Sequence, residues 1–315
     1  CMRRQLNVLD SLRVLLVTQH FSPERFLING VVKDLLGAGV QVSILTGVPN
    51  YPSGSAYPGY SAWTVREEWF GSARVLRVPH LTRGNAGGLR LAANYITYIL
   101  SATFWGQWRL RRESYDVVFV FGTSPVFQVI PAIALGWVKR TPVVLWVQDL
   151  WPDVLVATGY RFPRLLVRLI GDFVEALYRS VDLILAQSPE FQDEITRRCG
   201  STPVIYHPNP GPHLSSKSPV RVPEENGVFE VVFAGNIGRA QGLDSLIEAA
   251  IVLVKSDPEI LFSLYGAGSD LKRLQKRVDI EGLRNVRFLG ERSPKEAQGI
   301  MAKADVLYLG LTQDP

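Results

Sequence analysis

VVFAGNIGRAQGLDSLIEAA, residues 231–250, holds the pattern from which the rest of the chain is read. An apolar, β-branched run closes at Ala234, a turn with Gly235, Gly238 and Gly242 follows, and Leu243, Leu246, Ile247 and Ala250 then recur at the spacing of one helix face. The order is strand, glycine turn, helix. Such a turn aims unpaired backbone N–H groups and the positive end of a helix dipole at one point, which is how α/β folds hold phosphate. It also occurs as a plain strand-to-helix connection, and the pattern alone leaves both readings open.

The same alternation extends in both directions. Downstream, strands are expected at Ile260–Tyr265, Val286–Leu289 and Asp305–Leu309, with helices after Asp270 and near Pro294–Ala302. Upstream, Leu12–Thr18 (LRVLLVT) is a buried strand, followed by a loop at Gln19–Pro23, a helix at Gly30–Ala38 and a second strand at Val40–Thr46 (VQVSILT). Arg74–Val78 and Val181–Ala186 read as further strands. Asp116–Phe121 (DVVFVF) and Pro142–Val147 (PVVLWV) are continuous apolar runs, as parallel strands covered on both faces require. Ser188 is placed to cap a helix carrying Glu190 and Glu194. Periodicity vanishes over Val204–Glu225, where Pro, Ser and Gly dominate. The expectation is an α/β protein of two Rossmann-like domains, 1–207 and 229–315, joined by 208–228 and facing across a cleft. A parallel sheet stopping at Pro315 has an uncovered edge, so the second domain is expected to be incomplete; Met at position 2 suggests leading tag residues.

In doubly wound sheets ligands sit at the carboxyl ends of strands. His20 is therefore where chemistry would be, although a single loop histidine is more often a surface residue than a catalyst. Gln148 and Asp149 follow the strand ending at Val147, and Asp149 and Asp153 bracket a Trp-Pro; one of the two is expected to cap the next helix and the other to stand free. Val48–Trp63 (VPNYPSGSAYPGYSAW) is too rich in Pro, Gly and Tyr for regular structure and too apolar for a disordered linker, so an ordered loop is expected.

Charge is uneven. Through His207 there are 21 Lys+Arg against 15 Asp+Glu, and 13 against 14 beyond it; all seven Trp lie in the first part. Basic residues with interfacial aromatics suit an anionic membrane surface or a phosphorylated partner. No helix-turn-helix, zinc or RNA-binding signature points to nucleic acid. Residues 91–108 carry no charge between Arg90 and the cluster Arg109, Arg111 and Arg112, which fits a half-buried helix, an interfacial helix or a short membrane span. Arg161, Arg164 and Arg168 with Leu165, Leu166, Leu169 and Ile170 form a second amphipathic basic stretch. Cys1 and Cys199 match no metal spacing, and the first ten residues do not read as a signal peptide, so a reducing cytoplasmic setting is expected.

One resemblance unites these pieces. The loop Gln19–Pro23, HisProAsn at His207–Asn209, the turn Gly235–Gly242, TyrGlyAlaGly at Tyr265–Gly268, AsnValxPheLeuGly at Asn285–Gly290 and AlaAspVal at Ala304–Val306 together resemble the retaining glycosyltransferases of family 4. ProAsnTyrPro (Pro49–Pro52) and GlnAspLeuTrpPro (Gln148–Pro152) are similar to the bacterial subgroup that adds amino sugars such as N-acetyl-fucosamine to lipid-linked glycans of O-antigen or capsule. The resemblance implies a GT-B fold, with acceptor on the first domain and a UDP-sugar mainly on the second. It also implies no cofactor, no catalytic metal, and work at the inner face of the cell membrane on a polyprenyl-diphosphate-linked acceptor.

Site residues follow from it. Gly235, Asn236, Gly238, Arg239 and Gln241 would face the donor diphosphate, Gly266 and Gly268 would admit the nucleotide, and Leu289, Gly290 and Arg292 would lie along the uracil. His20, Gln148 and Asp149 would face the reacting centre, and Gly30, Tyr51 and Trp151 the acceptor. The sequence departs from the family in placing Asn236 and Gln241 where an Arg and a Lys are common, and Gln148 where a His often stands. The family's glutamate pair would fall beyond the last residue. Rival readings are a nucleotide-sugar epimerase of the same fold and a non-catalytic, membrane-associated assembly partner. A dehydrogenase fits poorly, since LVTQHFSPE lacks the glycine fingerprint.

Overall fold

Along Arg13–Thr18 five consecutive residues are buried, and successive side chains enter two different cores. This is the mark of a central parallel strand, and a sheet grows on both sides of it. The computed structural model describes residues 11–84, 87–157, 163–211 and 229–311, without the side chain of Pro294. The chain divides after Pro210 into two compact units.

The first unit holds strands β1 (Arg13–Thr18), β2 (Gln41–Gly47), β3 (Arg66–Phe70), β4 (Ala73–Val78), β5 (Val117–Gly122), β6 (Val143–Val147), β7 (Leu183–Ala186) and β8 (Val204–Tyr206). They lie in the order β3-β4-β2-β1-β5-β6-β7-β8, parallel throughout except for the antiparallel β3–β4 pair. Its helices are α1 (Ile28–Gly37), α2 (Gly88–Arg109), α3 (Ile130–Lys139), α4 (Asp153–Ala157), α5 (Arg164–Tyr178) and α6 (Pro189–Arg198). Leu15, Val17, Val118, Val120, Leu145 and Ile184 pack with Tyr98 and Ala102 of α2, Leu135 of α3, Val174 of α5 and Ile195 of α6. The alternate side chains Val14, Leu16, Val42 and Ile44 pack with Ile28 and Val32 of α1. Ser188 caps α6 by accepting the Phe191 amide.

Several expectations change here. Val204–Tyr206 is strand β8, paired with β7, so the break in regular structure begins after Tyr206 and not at Val204. Arg66–Phe70 is an edge strand whose exposed side chains carry no alternating pattern. The uncharged stretch is a half-buried helix: Asn94, Tyr98, Ala102 and Gly106 of α2 face inward at four-residue spacing. Among the described residues no helix is long and apolar enough to cross a membrane. Not all tryptophans are interfacial, since Trp146 and Trp151 lie in the core. Asp153 opens α4 and pairs with Arg198 at 2.8 Å. Cys1, Arg161, the end of the 208–228 joint and the last four residues lie outside the described residues.

The second unit carries β9 (Phe229–Ala234), β10 (Ile260–Tyr265), β11 (Val286–Gly290) and β12 (Val306–Leu307), parallel in the order β11-β10-β9-β12. Helices α7 (Leu243–Ser256), α8 (Leu271–Ile280) and α9 (Pro294–Met301) connect them. Leu246, Ile247 and Ala250 of α7 and Leu274 and Val278 of α8 close the core over Phe233, Phe262 and Leu264. Arg273 pairs with Asp244 and Asp270, and Arg277 with Asp244 and Glu248, tying α7 to α8.

Candidate active site

In the first unit the predicted catalytic residues stand at the carboxyl ends of β1 and β6, with β5 between them. His20 follows β1 and is only 3% exposed, a buried residue rather than a surface one. Its Nδ1 lies 3.1 Å from both carboxylate oxygens of Glu24, its ring stacks on Phe26 and Tyr51 tilts against it. Glu24 Oε1 also accepts the amides of Asn50 and Tyr51, each at 2.7 Å, so it joins the loop after β1 to the loop after β2. Beside it His80 is buried, and burial pushes its imidazole down to about 4. Asn50 Nδ2 lies 3.4 Å from His80 Nε2. Gly47 leaves room for that ring: a Cβ there would fall 2.6 Å from His80 Cε1.

Between β1 and β5 the buried polar side chains form a chain. Gln128 Oε1 accepts the Gln19 amide at 2.8 Å, Gln19 Nε2 donates to Asn94 Oδ1 at 2.9 Å, and Asn94 Nδ2 donates to the Leu81 carbonyl at 2.5 Å. Asp149 Oδ2 accepts both the amide and the hydroxyl of Ser124 at 2.9 Å, and Trp151 Nε1 donates to the same hydroxyl at 3.1 Å. Asp149 is thus spent partly on holding the β5 and β6 loops together. Trp151, 8% exposed and packed on Phe127, braces that junction from within. Gln148 Nε2 is buried with no hydrogen-bond partner among the described residues, as is Gln19 Oε1. Both atoms carry an unmet demand at the sheet's carboxyl edge.

Tyr51 is half open, with Arg83 5.0 Å over its ring. Burial raises the Tyr95 phenol, the nearby Arg83 charge opposes that rise and Asp149 adds to it, which puts Arg83, Tyr95 and Asp149 in one electrostatic neighbourhood. Gly30 stands apart in α1, with no atom within 4 Å of where its Cβ would be. The peptide bonds before Pro23, Pro52, Pro125 and Pro152, in the loops after β1, β2, β5 and β6, are cis.

The second unit builds its edge from backbone. Gly266 has φ +140°, and a Cβ there would lie 1.8 Å from the Gly235 carbonyl oxygen; one at Gly268 would lie 2.2 Å from the Ile237 carbonyl oxygen. These glycines let the loops after β9 and β10 close on each other, with the Ile237 amide given to Ala267 and the Gly266 amide to Gly290. Among the described residues no acceptor takes the amides of Asn236, Arg239 and Ala240. The turn therefore presents free donors, the exposed Arg239 and the start of α7 together. Arg292 lies 5.6 Å over the Tyr265 ring, beside Leu289 and Gly290. Among the described residues no group of three or more His, Cys, Asp and Glu side chains has metal-binding placement.

Sequence reading did not find Glu24, Asn50, His80, Asn94 or Gln128. The available signal was weak: each is a polar residue inside or beside an otherwise apolar element, and only the packed sheet shows them meeting.

Comparison with known proteins gives the family and the fold. The profile of the glycosyl transferase 4-like domain matches residues 28–210, and that of glycosyl transferases group 1 matches residues 217–313. The chain is 25% identical over 297 residues to the putative colanic acid biosynthesis glycosyl transferase WcaI of Escherichia coli (strain K12), covering 88% of this chain and 71% of the relative. It is 22% identical over 234 residues to the probable glycosyltransferase WbjE of Pseudomonas aeruginosa, covering 71% of this chain and 58% of that one. Anabaena HepE, solved with UDP and glucose, shares the fold with TM-score 0.55 at 15% identity over 95% of this chain and 74% of its own.

Proposed function

The chain belongs to the glycosyl transferase 4-like family, and on that premise we propose that it moves a sugar from a UDP-sugar to a lipid-linked glycan acceptor in bacterial surface polysaccharide synthesis. The observation that carries the donor half is the turn at Gly235–Gly242, where free amides, a helix start and Arg239 converge. Asn236 and Gln241 keep hydrogen-bonding capacity where the family commonly has charge, so Arg239 and Arg292 supply the positive groups for the diphosphate and uracil side. HepE, a fold neighbour, was solved with UDP.

The sugar is an N-acetylamino sugar and the reaction retains configuration. The anomeric C–O bond breaks toward UDP, the acceptor oxygen bonds to the same face, and the acceptor proton passes to the departing phosphate oxygen. Backbone amides, the α7 N-terminus and Arg239 stabilise the leaving group without a metal ion. Gln148 and Asp149 hold sugar hydroxyls, and His20 and Tyr51 meet the acceptor.

A lipid-linked acceptor brings the protein to a membrane. On α2, Ile96, Leu100, Phe104 and Trp108 form an exposed apolar stripe at four-residue spacing, Leu100 being 64% and Phe104 62% exposed, with Arg111 stacked on Trp108. On α5, Leu165, Leu166 and Leu169 are exposed beside Arg164 and Arg168. Such faces lie in an anionic interface. Replacing Leu100 and Phe104 by Ser, or Arg164 and Arg168 by Glu, is expected to lower sedimentation with phosphatidylglycerol vesicles at least tenfold. Unchanged sedimentation would remove the membrane from the proposal.

The donor assignment is tested by thermal shift with UDP, UDP-N-acetylhexosamines, GDP and NAD, since a ligand stabilises the state that binds it. A rise with the uridine species alone is expected; a rise with GDP or NAD instead would overturn it.

A further inference from the structure

Glu24 is 1% exposed, and no Lys or Arg among the described residues pairs with it. Burying a carboxylate is costly unless its oxygens are satisfied. Here Oε1 takes the amides of Asn50 and Tyr51, Oε2 takes the Phe21 amide at 3.3 Å, and both oxygens face His20 Nδ1. An ionised carboxylate only accepts, so Nδ1 carries the proton; a neutral imidazole has one N–H, and Nε2 is then the lone pair.

The ring is held in every other respect. Phe26 stacks on it at 5.1 Å with 10° between planes, and Tyr51 tilts against it at 5.8 Å. Nε2 has no hydrogen-bond partner among the described residues, yet it is not among the fully buried atoms without a partner. It is the ring nitrogen that no described residue takes up, at the carboxyl end of β1. The groups around His20 are Glu24 from its own loop, Tyr51 from the loop after β2 with Arg83 over it, and His80 from the end of β4.

We propose that Glu24 is a positioning residue that holds His20 as the Nδ1–H tautomer, so that Nε2 accepts a hydrogen bond from a hydroxyl of the glycan acceptor. This rests on the reading of the first unit as the acceptor side. It gives the loop after β1 a defined polarity: a lone pair from the protein meets an O–H from the ligand. It also explains why a carboxylate is buried there without a cationic side chain from Lys or Arg. The same carboxylate fixes Tyr51 through its amide, so ring and tyrosine are set as one piece.

The test is nitrogen NMR of the full chain labelled at its histidine rings, of which there are four, with His20 assigned from the signal lost in His20→Gln. At pH 7.5 the wild type should show protonated Nδ1 and unprotonated Nε2. In Glu24→Gln the amide oxygen keeps the Asn50 and Tyr51 amides, and the NH2 donates to Nδ1, so the proton moves to Nε2. A wild-type Nε2–H tautomer, an imidazolium at pH 7.5, or an unchanged tautomer in Glu24→Gln would overturn the proposal. If Glu24→Gln does not fold, the wild-type spectrum decides the tautomer alone. Adding farnesyl-diphosphate-linked N-acetylglucosamine should shift the Nε2 signal in wild type and not in Glu24→Gln; no shift in wild type overturns the acceptor contact. The UDP thermal shift should be equal in both proteins, and its absence from both would strike the donor reading while leaving the tautomer result standing.

Discussion

The two units end their sheets in different materials. At the carboxyl edge of the first, side chains do the shaping, in three hydrogen-bonded groups: Glu24 with Asn50 and His80, Gln19 with Asn94 and Gln128, and Asp149 with Ser124. At the edge of the second, glycines at 266 and 268 let two backbones touch, and free amides are what remains facing outward. Backbone donors read features common to every nucleotide, above all phosphate oxygens. Side-chain networks read particular arrangements of hydroxyls, and a change of one residue alters them. Under the proposed function, the backbone edge is the one suited to a nucleotide donor and the side-chain edge the one suited to an acceptor.

Three experiments would break or sharpen that contrast. The largest effect is expected from Gly266→Ala. With φ at +140° and a backbone oxygen 1.8 Å from the new Cβ, the loops after β9 and β10 must separate. A loss of roughly 4 kcal/mol in the second unit is expected, together with loss of the UDP thermal shift, read by calorimetry with and without UDP. A fully stable variant that still binds UDP would show that the glycine contact does not shape the site.

Next comes pH. His80 has a folded value of about 4 against an ordinary 6.5, because burial disfavours its charged form. The unfolded chain therefore takes up a proton that the folded chain refuses. His80 favours folding fully above pH 6.5, and this contribution is lost as pH falls from 6.5 towards 4, by about 3 kcal/mol in all. Urea midpoints of wild type and His80→Gln across that range should differ in slope. Parallel curves would mean that the buried cluster of the first unit tolerates charge.

The smallest effect is expected at Gly30. It sits inside α1 with open space where a Cβ would go, so Gly30→Ala should stabilise the first unit by roughly 0.5–1 kcal/mol through helix propensity alone. If that substitution instead abolishes the histidine NMR response to the farnesyl-linked probe, Gly30 touches the acceptor and backbone contact matters in the first unit too.

Much of the fold could be read directly. DVVFVF and PVVLWV became β5 and β6 because a continuous apolar run of that length can only be covered on both faces. The strand-turn-helix of residues 231–250 was equally plain, since Leu246, Ile247 and Ala250 had one face to bury. Arg66–Phe70 was not legible: REEWF gains its extended form by pairing with β4 at an edge, and an edge strand needs no pattern of its own. Val204–Tyr206 has strand-forming residues but only three of them, too few for a period to show, and its place is set by pairing with β7. At the site, position was readable and partnership was not. His20, Gln148 and Asp149 could be placed at strand ends. That Asp149 would hold Ser124, that Trp151 would be buried beneath it, and that His20 would meet Glu24 depended on loops 25 residues or more apart in some cases and four in another.

By itself the sequence determined the layered α/β architecture and the place of its glycine turns, because periodicity and backbone freedom are local properties written residue by residue, and its ordered motifs carried the resemblance to the family. The tertiary structure alone decided which polar groups are buried together, which aromatic side chains face out on α2 and which nitrogen of His20 is free. Those outcomes depend on desolvation, and a group loses its water only when distant parts of the chain close over it.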